Sequence, residues 1–397
     1  MELEAVLEIV RRTAGGFVDA DAPLMEAGVD SLGAVELRNQ LQGAAGEGVA
    51  LPSTLVFDHP TARGLTMFLG AEAPRASSSD VSRSRDDATG VISRLACVSV
   101  ALPGGARGRS SAWQLVASGC DTFEPSPSSR WDSDQQRVRY GAFLHGADLF
   151  DNVAFGISTP ETSTMDPQQR LLLELGYVAL HEGKVGRADL MTSDMAVFVG
   201  VMSTEYREVV PHANAYTMTG TGHCFAAGRL SYVLGLHGVC EALDVACSSA
   251  LVACHNAHRA LQMRECCDAL VAGVNMMFLP STLDGFAAAG LTSPSGKAFV
   301  FDARANGFIR AEGCGAGVLQ EAATEGAAAI AGSSVRQDGR SASLTAPNGR
   351  AQQRLLNAVL ADACTTSSEL QLVEAAANGS SLGDPIEASA IAANALE

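Results

Sequence analysis

A chain of 397 residues that is 47% hydrophobic and 18% charged can bury a large core in two or three domains, which excludes a disordered protein. Its 40 glycines against 5% aromatics favour an α/β enzyme with many tight strand–helix turns over a disulfide scaffold. The formal net charge of −17 is densest in residues 1–70, which points that segment to basic protein surfaces as partners and not to nucleic acid, which needs clustered Lys and Arg.

Leu3, Val6, Leu7 and Val10 recur at helical spacing, with Glu2, Glu4, Glu8, Arg11 and Arg12 on the other side. Gly15-Gly16 breaks this helix. Leu32, Ala34, Val35, Leu37 and Leu41 predict a second helix that starts at Ser31. A further apolar stripe, Leu65, Phe68 and Leu69, follows Pro60, a residue suited to a helix start. Residues 1–70 therefore read as a small helical bundle, and as an acidic one, with four arginines against ten Asp and Glu. Residues 71–90 are rich in Ser, Ala and charge without apolar periodicity, which predicts a flexible linker. From residue 91 on, short apolar stretches (195–201, 268–274) alternate with helix-like ones (167–180, 248–261), with glycine at the joins. This is an α/β pattern.

The ten cysteines include no C-x-x-C spacing, so neither a zinc site nor a redox motif is expected, and no metal. The N-terminus lacks the charged and apolar regions of a signal peptide, and no apolar run approaches the ~20 residues that span a bilayer. Free thiols in a reducing, cytoplasmic compartment follow. Met1 already lies inside the first helical pattern, which reads as a chain cut from a longer one.

Gly28-Val29-Asp30-Ser31-Leu32 places a serine at a loop-to-helix junction. On local pattern alone Ser31 reads as an N-cap, and Asp30 suits the positive helix end. With Glu36-Leu37-Arg38 and Val56-Phe57-Asp58-His59-Pro60-Thr61, residues 1–70 resemble the acyl carrier proteins of modular polyketide synthases. The resemblance implies a four-helix bundle with a 4'-phosphopantetheine arm covalently bound at Ser31, installed by a phosphopantetheinyl transferase.

Asp244-Val245-Ala246-Cys247-Ser248-Ser249-Ala250 follows a strand-like stretch (238–243) and precedes a long helix with Leu251, Cys254, His258 and Leu261 along one face. Cys247 reads either as a buried structural cysteine or as a nucleophile whose thiolate the helix dipole favours. The surrounding motifs resemble, in order, the ketosynthase domain of type I polyketide synthases. They are Pro103-Gly104-Gly105, Met165-Asp166-Pro167-Gln168-Gln169-Arg170, Ala226-Ala227-Gly228-Arg229-Leu230-Ser231-Tyr232, Gly273-Val274-Asn275, Phe301-Asp302, Gly307-Phe308-Ile309-Arg310-Ala311-Glu312-Gly313, Thr345-Ala346-Pro347-Asn348-Gly349 and Leu382-Gly383-Asp384-Pro385-Ile386-Glu387. The resemblance implies an α/β thiolase-like fold (layered α-β-α-β-α), cut short at its C-terminus, a homodimer, and Cys247 as acceptor of acyl chains from carrier thioesters. His255 and His258 read as packed or surface histidines, Cys266-Cys267 as core, and Asp384 and Glu387 as supports for the active-site loop. His145, His181, His212, His223 and His237 show no partner pattern.

One position departs from the family. The family's first catalytic histidine precedes the Leu-Gly-Asp-Pro run, and here that stretch reads Ala376-Ala377-Asn378-Gly379-Ser380. Alanine at 376 offers no donor to the thioester carbonyl of a malonyl-type carrier substrate, so decarboxylative condensation loses part of its enolate stabilisation. The family's second histidine would fall beyond Glu397. The expectation is a carrier domain (1–70), a linker (71–90) and a ketosynthase domain (91–397), loading acyl chains on Cys247 with impaired condensation and working among other polyketide synthase domains. The alternative is a non-elongating acyl-transfer or docking module. A degradative thiolase shares the nucleophilic cysteine, but the fused carrier and the residues around Cys247 disfavour it.

Overall fold

The computed structural model describes residues 2–25, 27–29, 31–45, 51–52, 54–70, 93–131, 139–202, 204–210, 212–321 and 328–395. The linker expected at 71–90 lies outside the described residues. They fall into two compact units. One takes in the described parts of Met1–Ser84, Val300–Ala305 and Ser334–Glu397, the other those of Arg85–Phe299 and Asn306–Ser333.

In the first unit, helices α1 (Leu3–Ala14), α2 (Ser31–Ala45), α3 (Leu55–Asp58) and α4 (Ala62–Gly70) form the predicted bundle. Gly15 ends α1 with φ 73°, and its N–H donates to the Arg11 carbonyl, the left-handed stop that glycine allows. Val6, Leu7, Val10, Leu37, Leu41, Leu55 and Leu65 are buried together, whereas Val35 faces outward on α2. Helix α4 starts two residues beyond Pro60. Thr61 provides the start, its Oγ1 accepting from Gly64 N at 3.1 Å.

The second unit is built on a seven-stranded sheet. Its strands are β1 (Ser93–Leu102), β2 (Ala106–Arg107), β3 (Ala196–Val201), β4 (Cys240–Leu243), β5 (Asp268–Asn275), β6 (Gly313–Glu321) and β7 (Ala328–Ile330). The order is β2-β1-β6-β5-β3-β4, with β7 also paired to β1. Strand β3 runs parallel to β4 and β5, and the other pairings are antiparallel. Three helices cover the sheet: α5 (Pro167–Glu182), α6 (Phe225–Leu234) and α7 (Ser249–Gln262). Every residue of β3 is buried, as a continuous apolar run covered on both faces requires. Val197 and Val199 pack with Leu171, Leu172 and Leu175 of α5 and Leu230 of α6. Ala196 and Phe198 point the other way, to Ala253, Ala257 and Leu261 of α7.

The Met165–Arg170 motif is a helix start. Asp166 Oδ1 accepts from Gln168 N at 2.8 Å, with Pro167 in the first turn of α5. Burial raises the Asp166 carboxyl to about 6. Arg229 of α6 ties the same region down, donating to Gln169 Oε1 at 2.6 Å and Glu161 Oε1 at 2.5 Å.

The first unit is completed by α8 (Gly349–Ala363) and α9 (Gly383–Ala395), which pack on each other. Asn348 caps α8 by accepting from Ala351 N at 3.1 Å. At the start of α9 the buried Asp384 accepts from three backbone amides: Phe301 N at 3.0 Å, and Gly379 N and Ser380 N at 3.2 Å each.

Candidate functional sites

Ser31 is the first residue of α2. The approach to it is shaped by Gly28, whose φ of 104° is left-handed territory and where a Cβ would stand 3.1 Å from the Ala14 carbonyl oxygen. Val29 is fully buried, and its N–H donates to Leu24 O at 3.0 Å. Glycine thus permits the turn and valine pins it to the bundle core, so the helix begins at a fixed place. A fifteen-residue helix turns the positive end of its dipole there, a setting that suits a phosphodiester.

Cys247 lies in a short 3-10 turn, Ala246–Ser248, between β4 and α7. Three side chains of its own motif build that turn. Asp244 Oδ1 accepts from Ala246 N at 3.0 Å. Ser248 Oγ donates to Val245 O at 3.0 Å. Ser249 Oγ accepts from Val245 N at 2.9 Å and donates to Ala246 O at 2.7 Å. Ala246 is held at φ 56°, a conformation that costs a non-glycine residue roughly 1–2 kcal/mol and persists only where its surroundings enforce it. The thiol of Cys247 is exposed.

The sheet makes room for this turn with two glycines. A Cβ at Gly200 on β3 would lie 2.5 Å from Ala250 N, and one at Gly273 on β5 would lie 2.7 Å from Ala250 Cβ. The first turn of α7 therefore rests directly on the backbone of β3 and β5, near the carboxyl ends of the parallel strands, where open α/β sheets place their ligands.

Buried acids hold the chain as it leaves β5. Glu312 accepts from Met277 N at 2.9 Å and Leu144 N at 2.8 Å, and pairs with Arg130 at 2.9 Å. Glu205 Oε2 accepts from Phe278 N and Leu279 N at 2.8 Å each, and its other oxygen lies 3.5 Å from Arg310. Burial raises the Glu312 carboxyl and lowers the Arg310 guanidinium, with their ion partners opposing. The Gly307–Gly313 motif is thus an internal brace. The histidines on α7 also have fixed partners: His258 is buried with Nδ1 2.8 Å from Ser93 Oγ, and His255 Nδ1 is 2.8 Å from Ser333 Oγ. Of the adjacent thiols, Cys266 is buried but Cys267 is exposed, because successive residues entering β5 point to opposite sides. Among the described residues no group of three His, Cys, Asp or Glu could hold a metal ion.

Ala376 belongs to the other unit. Its methyl is exposed, and its N–H and that of Ala377 donate to the two oxygens of Glu387 at 2.8 and 2.9 Å. Ala377 follows with φ 31°.

Sequence reasoning singled out Cys247 and the small residues after it as a tight turn, but assigned no hydrogen bond to Asp244, Ser248 or Ser249 and no role under the turn to Gly200 or Gly273. The first three carry a readable signal, since Asp and Ser bond their own backbone in tight turns. The two glycines carry none, because their neighbour lies some fifty residues or fewer away in sequence on a separate helix and only the packed fold brings it close.

The family model of the β-ketoacyl synthase N-terminal domain matches residues 95–325, that of the C-terminal domain residues 327–396, and that of the phosphopantetheine attachment site residues 3–69. The chain is 40% identical over 403 residues to the pikromycin polyketide synthase component PikAII of Streptomyces venezuelae, covering 95% of this chain and 11% of that protein. It is 39% identical over 403 residues to the polyketide synthase GfsB of Streptomyces halstedii, covering 95% of this chain and 7% of that protein. The chain thus spans a small part of the length of these relatives. Among solved structures it is similar to the ketosynthase from module 6 of the bacillaene synthase of Bacillus subtilis 168, with TM-score 0.71 and 32% identity over 77% of this chain and 54% of that one. The oxazolomycin ketosynthase domain OzmH KS7 of Streptomyces albus gives the same TM-score of 0.71 at 27% identity, over 77% of this chain and 56% of that one. The chain belongs to the β-ketoacyl synthase family of type I modular polyketide synthases, with a thiolase-like synthase fold and, ahead of it, an attachment-site domain for a covalent 4'-phosphopantetheine.

Proposed function

We propose that this chain carries acyl chains on a phosphopantetheine arm at Ser31 and accepts them as a thioester on Cys247. The observation that carries the reading is an exposed thiol on a rigid turn near the carboxyl ends of parallel strands. When bound at Ser31, the arm supplies a terminal thiol that holds an acyl group as a thioester. Cys247 Sγ attacks that carbonyl as a thiolate. Its S–C bond forms as the carrier's S–C bond breaks, and the proton that Cys247 gave up ends on the departing thiolate.

Condensation is the impaired half of the reaction in this reading. A malonyl-type thioester that loses CO2 leaves an enolate, and its oxygen needs preorganised donors. Ala376 offers no side-chain donor where the family pattern places its first histidine. That same residue favours a second reading, a non-elongating acyl-transfer or docking module, which receives and passes chains without extending them.

The partners we propose are acyl- and malonyl-type carrier thioesters, other polyketide synthase domains, and the phosphopantetheinyl transferase that modifies Ser31. A homodimer through the synthase domain is part of the proposal. Strand β4 ends the sheet order with Cys240 exposed, and an open strand edge is a template for pairing with a second copy. The proposed domain limits are 1–70 for the carrier, 71–90 for the linker and 91–397 for the ketosynthase, in a cytoplasmic protein. No described helix is long and apolar enough to cross a membrane.

Intact-protein mass spectrometry after incubation with an acyl thioester tests the assignment. The expected result is an acyl adduct on the wild type and none on Cys247→Ala. Equal labelling of both removes Cys247 from its role. Release of CO2 from a malonyl-carrier by the wild type would contradict the impairment at Ala376.

A further inference from the structure

The apolar core of the carrier bundle does not end within the bundle. It continues through Ala342, Ala346 and Ile386, with Leu382 packed against it. Around this seam the two sides are complementary in charge and shape. Asp58, held by Thr54 Oγ1 at 2.7 Å, lies against the start of α8, where a Cβ on Gly349 would stand 3.0 Å from Asp58 Oδ1. The next residue, Arg350, places its guanidinium 5.9 Å from the centroid of Phe68, within range of a cation–π contact. Phe68 in turn packs on His59 at 4.6 Å. On the other side of the bundle corner, Arg340 donates to the Asp21 carbonyl at 2.5 Å. The bundle is acidic, and Arg340 and Arg350 meet it.

We infer that this seam is a docking latch, in which the carrier bundle parks on the α8–α9 segment of its own chain through Asp21 and the corner between α3 and α4. These contacts centre on Asp21, Asp58 and Phe68, not on the start of α2. A parked carrier fixes where the arm at Ser31 begins, in place of a free search on a linker, so release of the latch limits how fast the arm delivers its chain. The latch rests on the proposed function for its consequence but not for its existence.

The test uses the full chain and the double charge reversal Arg340→Glu/Arg350→Glu. Hydrogen exchange over residues 55–69 should speed up on the order of ten-fold, while amides of α1 stay protected and report an intact bundle. Acyl transfer from the loaded arm to Cys247 should rise, while loading of Cys247 from a small acyl thioester should not change. In Asp58→Cys/Gly349→Cys, oxidised glutathione should form an intramolecular disulfide, located by peptide mass spectrometry, since side chains this close suit the bond. Unchanged exchange over 55–69 in the charge reversal, or no disulfide in the cysteine pair, overturns the latch. If Cys247 fails to load from the small thioester in either protein, the functional reading falls, and the exchange result still decides the latch.

Discussion

Replacing Gly273 by alanine should displace Cys247, the proposed nucleophile, without touching it. The added Cβ would stand 2.7 Å from Ala250 Cβ, while its next neighbours, Ala250 Cα at 3.7 Å and Gly200 O at 3.9 Å, are at ordinary contact. Carbon pairs prefer about 3.5–4.0 Å, so the first turn of α7 has to retreat by roughly 1 Å. Overpacking of this kind costs about 1–3 kcal/mol of stability. Because Cys247 opens into that turn, its sulfur moves too, and a misplacement of about 1 Å costs on the order of 100-fold in rate. The assay is the time course of acyl loading on Cys247 by intact mass, with circular dichroism to show that the variant is folded. Gly273→Ala should load on the order of 100-fold more slowly. The second variant, Gly273→Ala/Ala250→Gly, moves one methyl from helix to sheet and removes the single clash. It gives up about 1 kcal/mol of helix propensity and should recover most of the rate, a coupling that two independent lesions would not show. Wild-type loading by a folded Gly273→Ala refutes the reasoning, as does a double variant no faster than the single one.

Removing the buried acceptor in Glu312→Ala strands Arg130 and the amides of Met277 and Leu144, and chemical denaturation of the synthase unit should report a loss of about 3–5 kcal/mol. His59 is held near 4, chiefly by burial and then by Arg350. The unfolded chain therefore binds a proton near its ordinary 6.5 that the folded bundle refuses. Its contribution is complete above that value and is lost as pH falls from about 6.5 toward 4, up to about 3 kcal/mol. Denaturation of the carrier unit at a series of pH values checks this, and His59→Leu should flatten the slope.

The bundle was legible from the sequence because apolar residues at a helical period, with Gly15 at the stop, leave one way to bury a stripe. Pro60 suits a helix start, yet α4 begins at Ala62. Pro60 is permitted at a helix start, but Thr61 carries the oxygen that satisfies a first-turn amide, and a capping bond outranks a mere tolerance. The sheet unit was legible as alternating α and β, but its order, with β6 and β5 between β1 and β3, was not. Strand neighbours far apart in sequence are chosen by packing of both faces, and no local pattern records that choice. Cys247 stood out through its motif. The means that hold it, an enforced φ of 56° at Ala246 and two glycines under α7, arise from the meeting of elements.

The loop at 376–380 keeps its path through bonds that no side chain at 376 makes. Glu387 receives the amides of Ala376 and Ala377, and Asp384 receives those of Gly379 and Ser380. All four bonds are made by the backbone of the loop, and the exposed Ala376 methyl makes none. The acids of the Leu382–Glu387 motif therefore set the path of the chain whatever side chain stands at 376. Cys247 differs in kind, because its turn is held by the side chains of Asp244, Ser248 and Ser249, so the motif itself builds the geometry. It follows that selection on folding constrains the surroundings of Cys247 but is blind to the residue at 376. On the proposed reading, a chain relieved of the need to condense could change at 376 without loss of stability while the turn around Cys247 is kept.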